Sequence, residues 1–527
     1  MSEKSDNTAN IEDVETGGER GRQVPDGVKD GSPLETRNSE DKNDPLNWPY
    51  WLKVYLALMV SGLGFVNQLG SALINPAFVV IAEDLHISVE EASYCTTVVI
   101  LFMGIMPMFV VPFSNVYGRR VLYLVFTAIA AACQFGSGAA TTYGGLITGR
   151  IFYGIGASIP LGLGAATICD LFPQGERGTF LGIYTLCVNN GPHLAPIIGG
   201  YIALNLSWRW CLYVPGIIQA GFFACLCLTF PETLYSRTES IKSTNLSYFS
   251  RLLPCGKILE RPIRPRHFLQ PYIMIRYWAV SLPAIYWMTA NTYGSAQFAV
   301  TGSKLARQLY EFDVAQTGLL MGIPQTVGCM VGEATAGWVS DMIINAYARR
   351  HDGYRKPEVR LALLPGCVAL VAGLIAYGVC VDEHKAWPTL AASMGVASFG
   401  LQVGATMIYT YSTDCYKPQA PEVGVVINLY KSSEWESSLV TVPVLQSVRF
   451  YFIQWVRPLI AYFSCDAVFA FTIGFYAVPF GSREGYDVSF GVTAAINGVT
   501  LLPLVWLYFY GEKLRATQGR PCIHEDL

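Results

Sequence analysis

Residues 182–200 read GIYTLCVNNGPHLAPIIGG, an apolar stretch unlike an ordinary helix. Gly191, Ala195 and Gly199 recur every four residues, so a helix places three nearly side-chain-free positions along one stripe. Another helix can pack there almost backbone to backbone. Pro192 and Pro196 lack an N–H, which frees the carbonyls of Val188 and Pro192. Within a bilayer those carbonyls must face protein or a water-filled cavity. Taken alone, the stretch reads equally well as a small-residue seam between two membrane helices.

The chain around it is 52% hydrophobic and only 14% charged, with repeated apolar runs of the length, roughly 20 residues, that crosses a bilayer. The reading is an all-α, polytopic membrane protein. A polar tail, 1–50, is too poor in apolar side chains to fold alone, and no removable leader is expected, so the first span serves as the targeting signal. An N-terminal six-helix bundle occupies 51–230, a central loop 231–271, a C-terminal six-helix bundle 272–512 and a second tail 513–527. Basic residues collect on the cytoplasmic side of short loops. Arg119 and Arg120, Arg177, the central loop and Arg349 to Arg360 mark that side, whereas the alternate loops of the first half hold only Arg209. Both termini are then cytoplasmic.

Several function classes drop out. The fourteen cysteines lie mostly inside apolar runs, without paired CxxC spacing or a clustered Cys and His pattern, so neither a metal site nor a cofactor is expected. There is no GxxxxGK(S/T) loop to cradle ATP, and energy would come from an ion gradient. The net charge of -3 sits in loops and tails, and no nucleic-acid partner is expected. The expected partners are a small-molecule substrate, protons and the lipid bilayer, with the chain acting as a monomer.

Spaced as Gly182, eight residues, Gly191, three residues, Ala195, Pro196, two residues, Gly199 and Gly200, the opening stretch resembles the antiporter motif of the major facilitator superfamily, with Ala195 in place of a glycine. The resemblance implies two bundles related by a pseudo-two-fold axis, with this motif where they meet. It is typical of exporters that exchange substrate for protons. Asn115, Gly118, Arg119 and Arg120 are similar to the family's loop signature, with Asn115 where an acid is usual, and Gly337 with Asp341 repeats it six spans later. Arg150, in LITGRIFYG, resembles the fourth-span arginine that takes part in proton coupling; the alternative is a guanidinium snorkelling to the interface. Asp170 to Pro173, Trp208 to Trp210, Pro231 to Thr233 and Asp44 to Pro49 are similar to landmarks of the fungal twelve-span drug:proton antiporter branch.

Glu333 lies about two turns before Asp341 inside the eighth span. A carboxylate there suits a proton carrier, and its other reading is a structural ion pair. Asn67, Gln68, Asn189, Asn190, Trp287, Asn291, Tyr293 and Tyr409 are candidates for a midplane substrate site. The eleventh span is interrupted by 434–468, whose charges make poor lipid-facing material; a retained intron and an interfacial helix are the two readings. Two functions follow. One is proton-coupled efflux of drugs, toxins or secondary metabolites, at the plasma membrane or the vacuolar membrane. The other is import or sensing of a cationic nutrient such as a polyamine, anchored by Glu333.

Overall fold

Proline and turn chemistry decide where each apolar run bends. The computed structural model describes residues 44–235, 273–351, 356–416, 423–424, 426–427 and 469–519. The first span is α1 (Tyr50–Ala72), a 3-10 turn (Asn75–Ala77) around Pro76, and α2 (Phe78–Leu85). Helix α3 (Val89–Tyr117) opens on a capping box in which Ser88 and Glu91 satisfy each other's backbone N–H. Gly118, at φ 90°, turns the chain directly into α4 (Arg119–Gly138), a left-handed angle that glycine tolerates without cost. The fourth span divides at Pro160 into α5 (Tyr143–Ala157) and α6 (Ile159–Leu171), and α7 (Gln174–Asn205) and α8 (Trp210–Thr229) complete the half.

The second half repeats the scheme. Its first span is α9 (Trp278–Asn291), a π-helical turn (Thr292–Ala296) and α10 (Gln297–Tyr310). Then come α11 (Val314–Arg350), α12 (Leu364–Asp382) behind a 3-10 lead-in, α13 (Trp387–Cys415), α14 (Phe469–Glu484) and α15 (Tyr486–Gln518). Among the described residues, nine helical segments are long and apolar enough to cross a membrane. The other three spans are α7, diluted by its polar residues, the divided α9–α10 pair, and the eleventh, represented by α14. The segment 434–468 lies outside the described residues.

Ion pairs at the end carrying Arg119 and Arg120, the basic end, reveal the repeat. Arg119 at the start of the third span pairs at 3.0 Å with Asp170 at the close of the fourth. Arg360, at the start of the ninth, pairs with Asp414 at the close of the tenth. Asp341, the acid of the repeated loop signature, is a weaker partner: its side chain is 71% exposed and 3.6 Å from Arg360. Glu232 accepts the backbone N–H groups of Arg119 and Arg120, capping α4 with a negative charge where the helix dipole favours one. Arg120 in turn donates to the carbonyls of Leu226, Cys227 and Phe230 at the C-terminal end of α8. The side chain of Asn115 lies outside the described residues.

Helix α7 packs between α1 and α11, and successive residues serve the two neighbours. A Cβ on Gly199 would lie 1.9 Å from the carbonyl oxygen of Leu73, and one on Gly191 would lie 2.8 Å from that of Phe65. The stripe expected to join the two bundles therefore faces the first span of its own bundle. The residues one step on face the other half: a Cβ on Gly200 would meet Val314 O at 2.7 Å, and one on Gly318 would meet Pro196 O at 2.2 Å. A rotation of about 100° per residue makes adjacent glycines serve different faces. Gly182 and Gly337, nearer the basic end, have nothing within 4 Å of an added Cβ.

Gly200→Leu and Gly318→Leu should therefore give inserted, monodisperse protein that does not transport, whereas Gly199→Leu should reduce the folded yield by overpacking its own bundle, a cost of roughly 1–3 kcal/mol. Size-exclusion profiles of tagged protein alongside transport assays check this; full transport by Gly318→Leu would contradict it.

Candidate functional site

Breaking the first span creates a problem of backbone chemistry. The last carbonyls of α1 have no helical partner, and lipid offers none. Arg150 supplies it: Nη1 donates to Gly70 O at 3.0 Å, Nη2 to Ser71 O at 2.6 Å and Nε to Cys95 O at 2.9 Å. Its side chain is wholly buried, with the guanidinium 5.2 Å from the centroid of the Tyr153 ring. The planar fork thus clamps the C-terminal end of α1 against α3, where the helix dipole also favours a cation. Neither snorkelling nor a carboxylate partner describes this arrangement. Asn67 belongs to the same support: it donates to Ala157 O at 3.0 Å and accepts from Gln219 at 2.9 Å.

On the other side of the break a cavity with a water-accessible volume of ≈ 80 Å³ separates the halves. Span 1 contributes Gln68, Ser71 and Asn75, and span 2 contributes Thr96, which donates to Asn75 Oδ1 at 2.8 Å. Pro192 and Pro196 form the wall from α7. Asn291 and Ser295 come from the seventh span, whose π turn widens the helix at this wall, and Gln325 comes from α11. Among the described residues none of the lining side chains is charged.

Of the midplane candidates, Gln68 and Asn291 line the cavity. Asn67, Asn189, Asn190, Trp287, Tyr293 and Tyr409 do not. Asn190 bonds back to Leu186 O on its own helix at 3.0 Å, Asn189 is half-buried, and Tyr293 is fully buried in the π turn. Trp287 meets Tyr409 edge to face, at 6.1 Å between ring centroids. Glu333 is half-buried on α11, and its carboxylate accepts from Gln402 and, at 3.2 Å, from Thr406, both on α13. Its partners are neutral donors, not the cation that a structural ion pair requires.

Sequence reasoning passed over Ser71, Asn75, Thr96, Ser295 and Gln325, and also His193, whose Nδ1 lies 3.1 Å from Gln325 Oε1 across the two halves. The Asn75–Pro76 dipeptide inside an apolar run was the available signal for the first break. A second link between the halves is the 3.0 Å ion pair of Lys304 on α10 with Glu90 at the start of α3, at the end opposite the basic loops.

A family model described as Major Facilitator Superfamily matches residues 60–433, which include parts of both halves. An uncharacterized transporter of Schizosaccharomyces pombe is 29% identical over 397 residues, covering 71% of this chain and 78% of that protein. The MFS-type transporter hepF of Aspergillus oryzae is 27% identical over 411 residues, covering 72% and 80%. The MFS transporter cpaT, also from Aspergillus oryzae, is 28% identical over 386 residues, covering 71% and 77%. Among solved structures, a bacterial homolog of the human lysosomal transporter Spinster, inward-facing and unoccupied, shares the fold with a TM-score of 0.56 at 14% identity, over 90% of this chain and 100% of that one. With its two six-helix halves, its repeated ion pairs and a cavity at their junction, the chain belongs to the Major Facilitator Superfamily.

Proposed function

We propose that this transporter is a proton-coupled exporter of small, largely apolar compounds such as drugs, toxins or secondary metabolites, working as a monomer in the plasma membrane. The observation that carries the reading is the cavity at the junction of the halves, walled by Pro192 and Pro196 and by the broken first and seventh spans. Interrupted helices around a midplane site are how secondary transporters expose backbone polar groups to cargo without exposing them to lipid. With the basic loops on the cytoplasmic side, the Gly200–Gly318 contact and the Lys304–Glu90 pair close the outer end. Arg150 enters by holding the first-span break in shape, so its contribution to coupling is positional. An uncharged, mixed polar and apolar wall suits neutral or weakly charged cargo. The cationic-nutrient reading needs Glu333 as an anchor, and that carboxylate is engaged by Gln402 and Thr406 away from the cavity wall.

Cells producing the protein should accumulate less of an exported compound than cells without it, with a larger difference at external pH 5.5 than at 7.5 and none after a protonophore. Measuring intracellular levels across a panel of fungal metabolites and dyes checks this. Greater accumulation of polyamines in producing cells would support import instead.

Arg150→Lys keeps the charge but replaces a planar fork that reaches three carbonyls in fixed directions by a compact ammonium whose hydrogens are not set to span the same oxygens. Losing two charge-assisted bonds, at roughly 1.5–3 kcal/mol each, should lower the thermal midpoint of the purified protein and bring transport near background. Wild-type stability and transport in the lysine form would mean that charge alone suffices.

A further inference from the structure

Polar side chains around the cavity differ in whether their hydrogen bonds are already spent. Gln325 donates Nε2 to Met321 O at 2.8 Å and its Oε1 lies 3.1 Å from His193 Nδ1, so both ends of that amide are in use. Thr96 donates to Asn75 Oδ1 at 2.8 Å, and Ser71 donates to Gln68 O on its own helix at 2.7 Å. The side-chain amides of Gln68 and Asn291 and the hydroxyl of Ser295 have no hydrogen-bond partner among the described residues. Asn75 likewise keeps its Nδ2 hydrogens unused. Gln68 is 8% exposed and Asn75 3%, so these are buried groups on a cavity wall, not surface amides that bulk water satisfies.

The two free carboxamides come one from each half. Gln68 stands one turn before the end of α1, and Asn291 closes α9 where the π turn that holds Ser295 begins. Each therefore sits where its span breaks, and the first and seventh spans are counterparts in the two halves. Between them the wall carries the apolar side chains of Ile100, Met103, Leu161 and Met321. A carboxamide holds an acceptor oxygen and an NH2 donor in one plane, and either orientation of the amide presents the pair. What meets both at once is another edge with a donor beside an acceptor, the two-point pairing by which Asn and Gln read a base edge.

We propose that Gln68 and Asn291 are specificity-determining residues that select neutral cargo presenting an amide-type edge, as a lactam does, on an apolar ring body. This rests on the exporter reading above. Seated cargo displaces water from the carboxamides. A lactam returns a donor and an acceptor for the water removed. A lactone or an N-methylated lactam returns an acceptor only and leaves a carboxamide oxygen without a donor, whereas an ammonium returns donors only. Contact of the ring body with the apolar wall adds affinity without telling these compounds apart. Because one selecting side chain belongs to each half, fitting cargo is recognised where the halves meet.

The test uses the full chain in lipid nanodiscs and three probes that share one bicyclic frame: carbostyril, a lactam; N-methylcarbostyril, which has lost the donor; and coumarin, the lactone counterpart. Equilibrium dialysis against empty nanodiscs removes partitioning into lipid. Wild-type protein should bind carbostyril about tenfold more tightly than either of the others, the effect of one buried acceptor left unpaired. Gln68→Met and Asn291→Leu roughly keep side-chain volume but remove the edge. Each should bring the ratio toward one by weakening carbostyril while coumarin affinity is kept, and if one variant does not fold the other carries the comparison. Equal wild-type binding of the three probes, or no binding of carbostyril, overturns the proposal. So does a tenfold ratio that persists in both variants, or an equal loss for all three probes, the mark of a merely structural role. Efflux measured in parallel separates the two readings: proton-driven efflux of dyes by a chain without probe selectivity removes these selecting roles and leaves the exporter reading intact, whereas selectivity in a chain whose flux is indifferent to the gradient removes the exporter reading.

Discussion

In a bilayer every backbone carbonyl needs a partner from the protein or from enclosed water, and the centre of this molecule is arranged around two places where the helix cannot supply one. Pro76 and its 3-10 turn end the hydrogen-bond ladder of the first span, and Arg150 takes up the orphaned oxygens of Gly70 and Ser71. Pro192 and Pro196 interrupt the ladder of α7, and the cavity lies against them. These two devices differ in kind. The first break is satisfied by a buried cation from within the same bundle, so it is rigid. The second faces a space between the bundles, so its environment changes when they move.

That difference explains why the two halves can be tightly built and still separate. Asn67, Tyr153 and Gln219 bond to one another behind the first-span break, tying α1, α5 and α8 together. Across the seam Gly200 and Pro196 meet Gly318 backbone to backbone, and beyond them the Ile197 side chain seats on Gly322, which offers no side chain of its own. Backbone contact of this sort gains dispersion energy when closed but has no interdigitated side chains to extract when it opens. A leucine seam would have to leave one set of grooves and find another.

Much of the fold was legible because its causes are local. Apolar runs of bilayer length, six before a charged segment and six after it, predicted the helical fold and its two halves. The site was less legible, because its defining property is which face a residue takes. Gly199 and Gly200 are adjacent and identical in type, yet one meets Leu73 and the other Val314. The antiporter-like spacing drew attention to the correct helix and attached the bundle interface to the wrong glycine. Asn67 and Gln68 show the same ambiguity, one turned into the bundle and the other to the cavity. Glu333 stood out as a charge in an apolar run, but only the structure supplies Gln402 and Thr406, which come from a span nearly seventy residues away.

The repeated ion pairs at the basic end place a further constraint on motion. Arg119 with Asp170 and Arg360 with Asp414 each lie within one half, so rocking one half against the other leaves both intact. The Lys304–Glu90 pair and the His193–Gln325 bond cross between halves and must stretch or break in the same motion. The ion pair is partly exposed, with side chains 22% and 25% accessible, and water replaces its partners at little cost. The His193–Gln325 bond is buried, and losing a buried polar partner costs more than parting an exposed ion pair. The resistance to opening therefore concentrates where α7 and α11 share this polar contact beside the cavity.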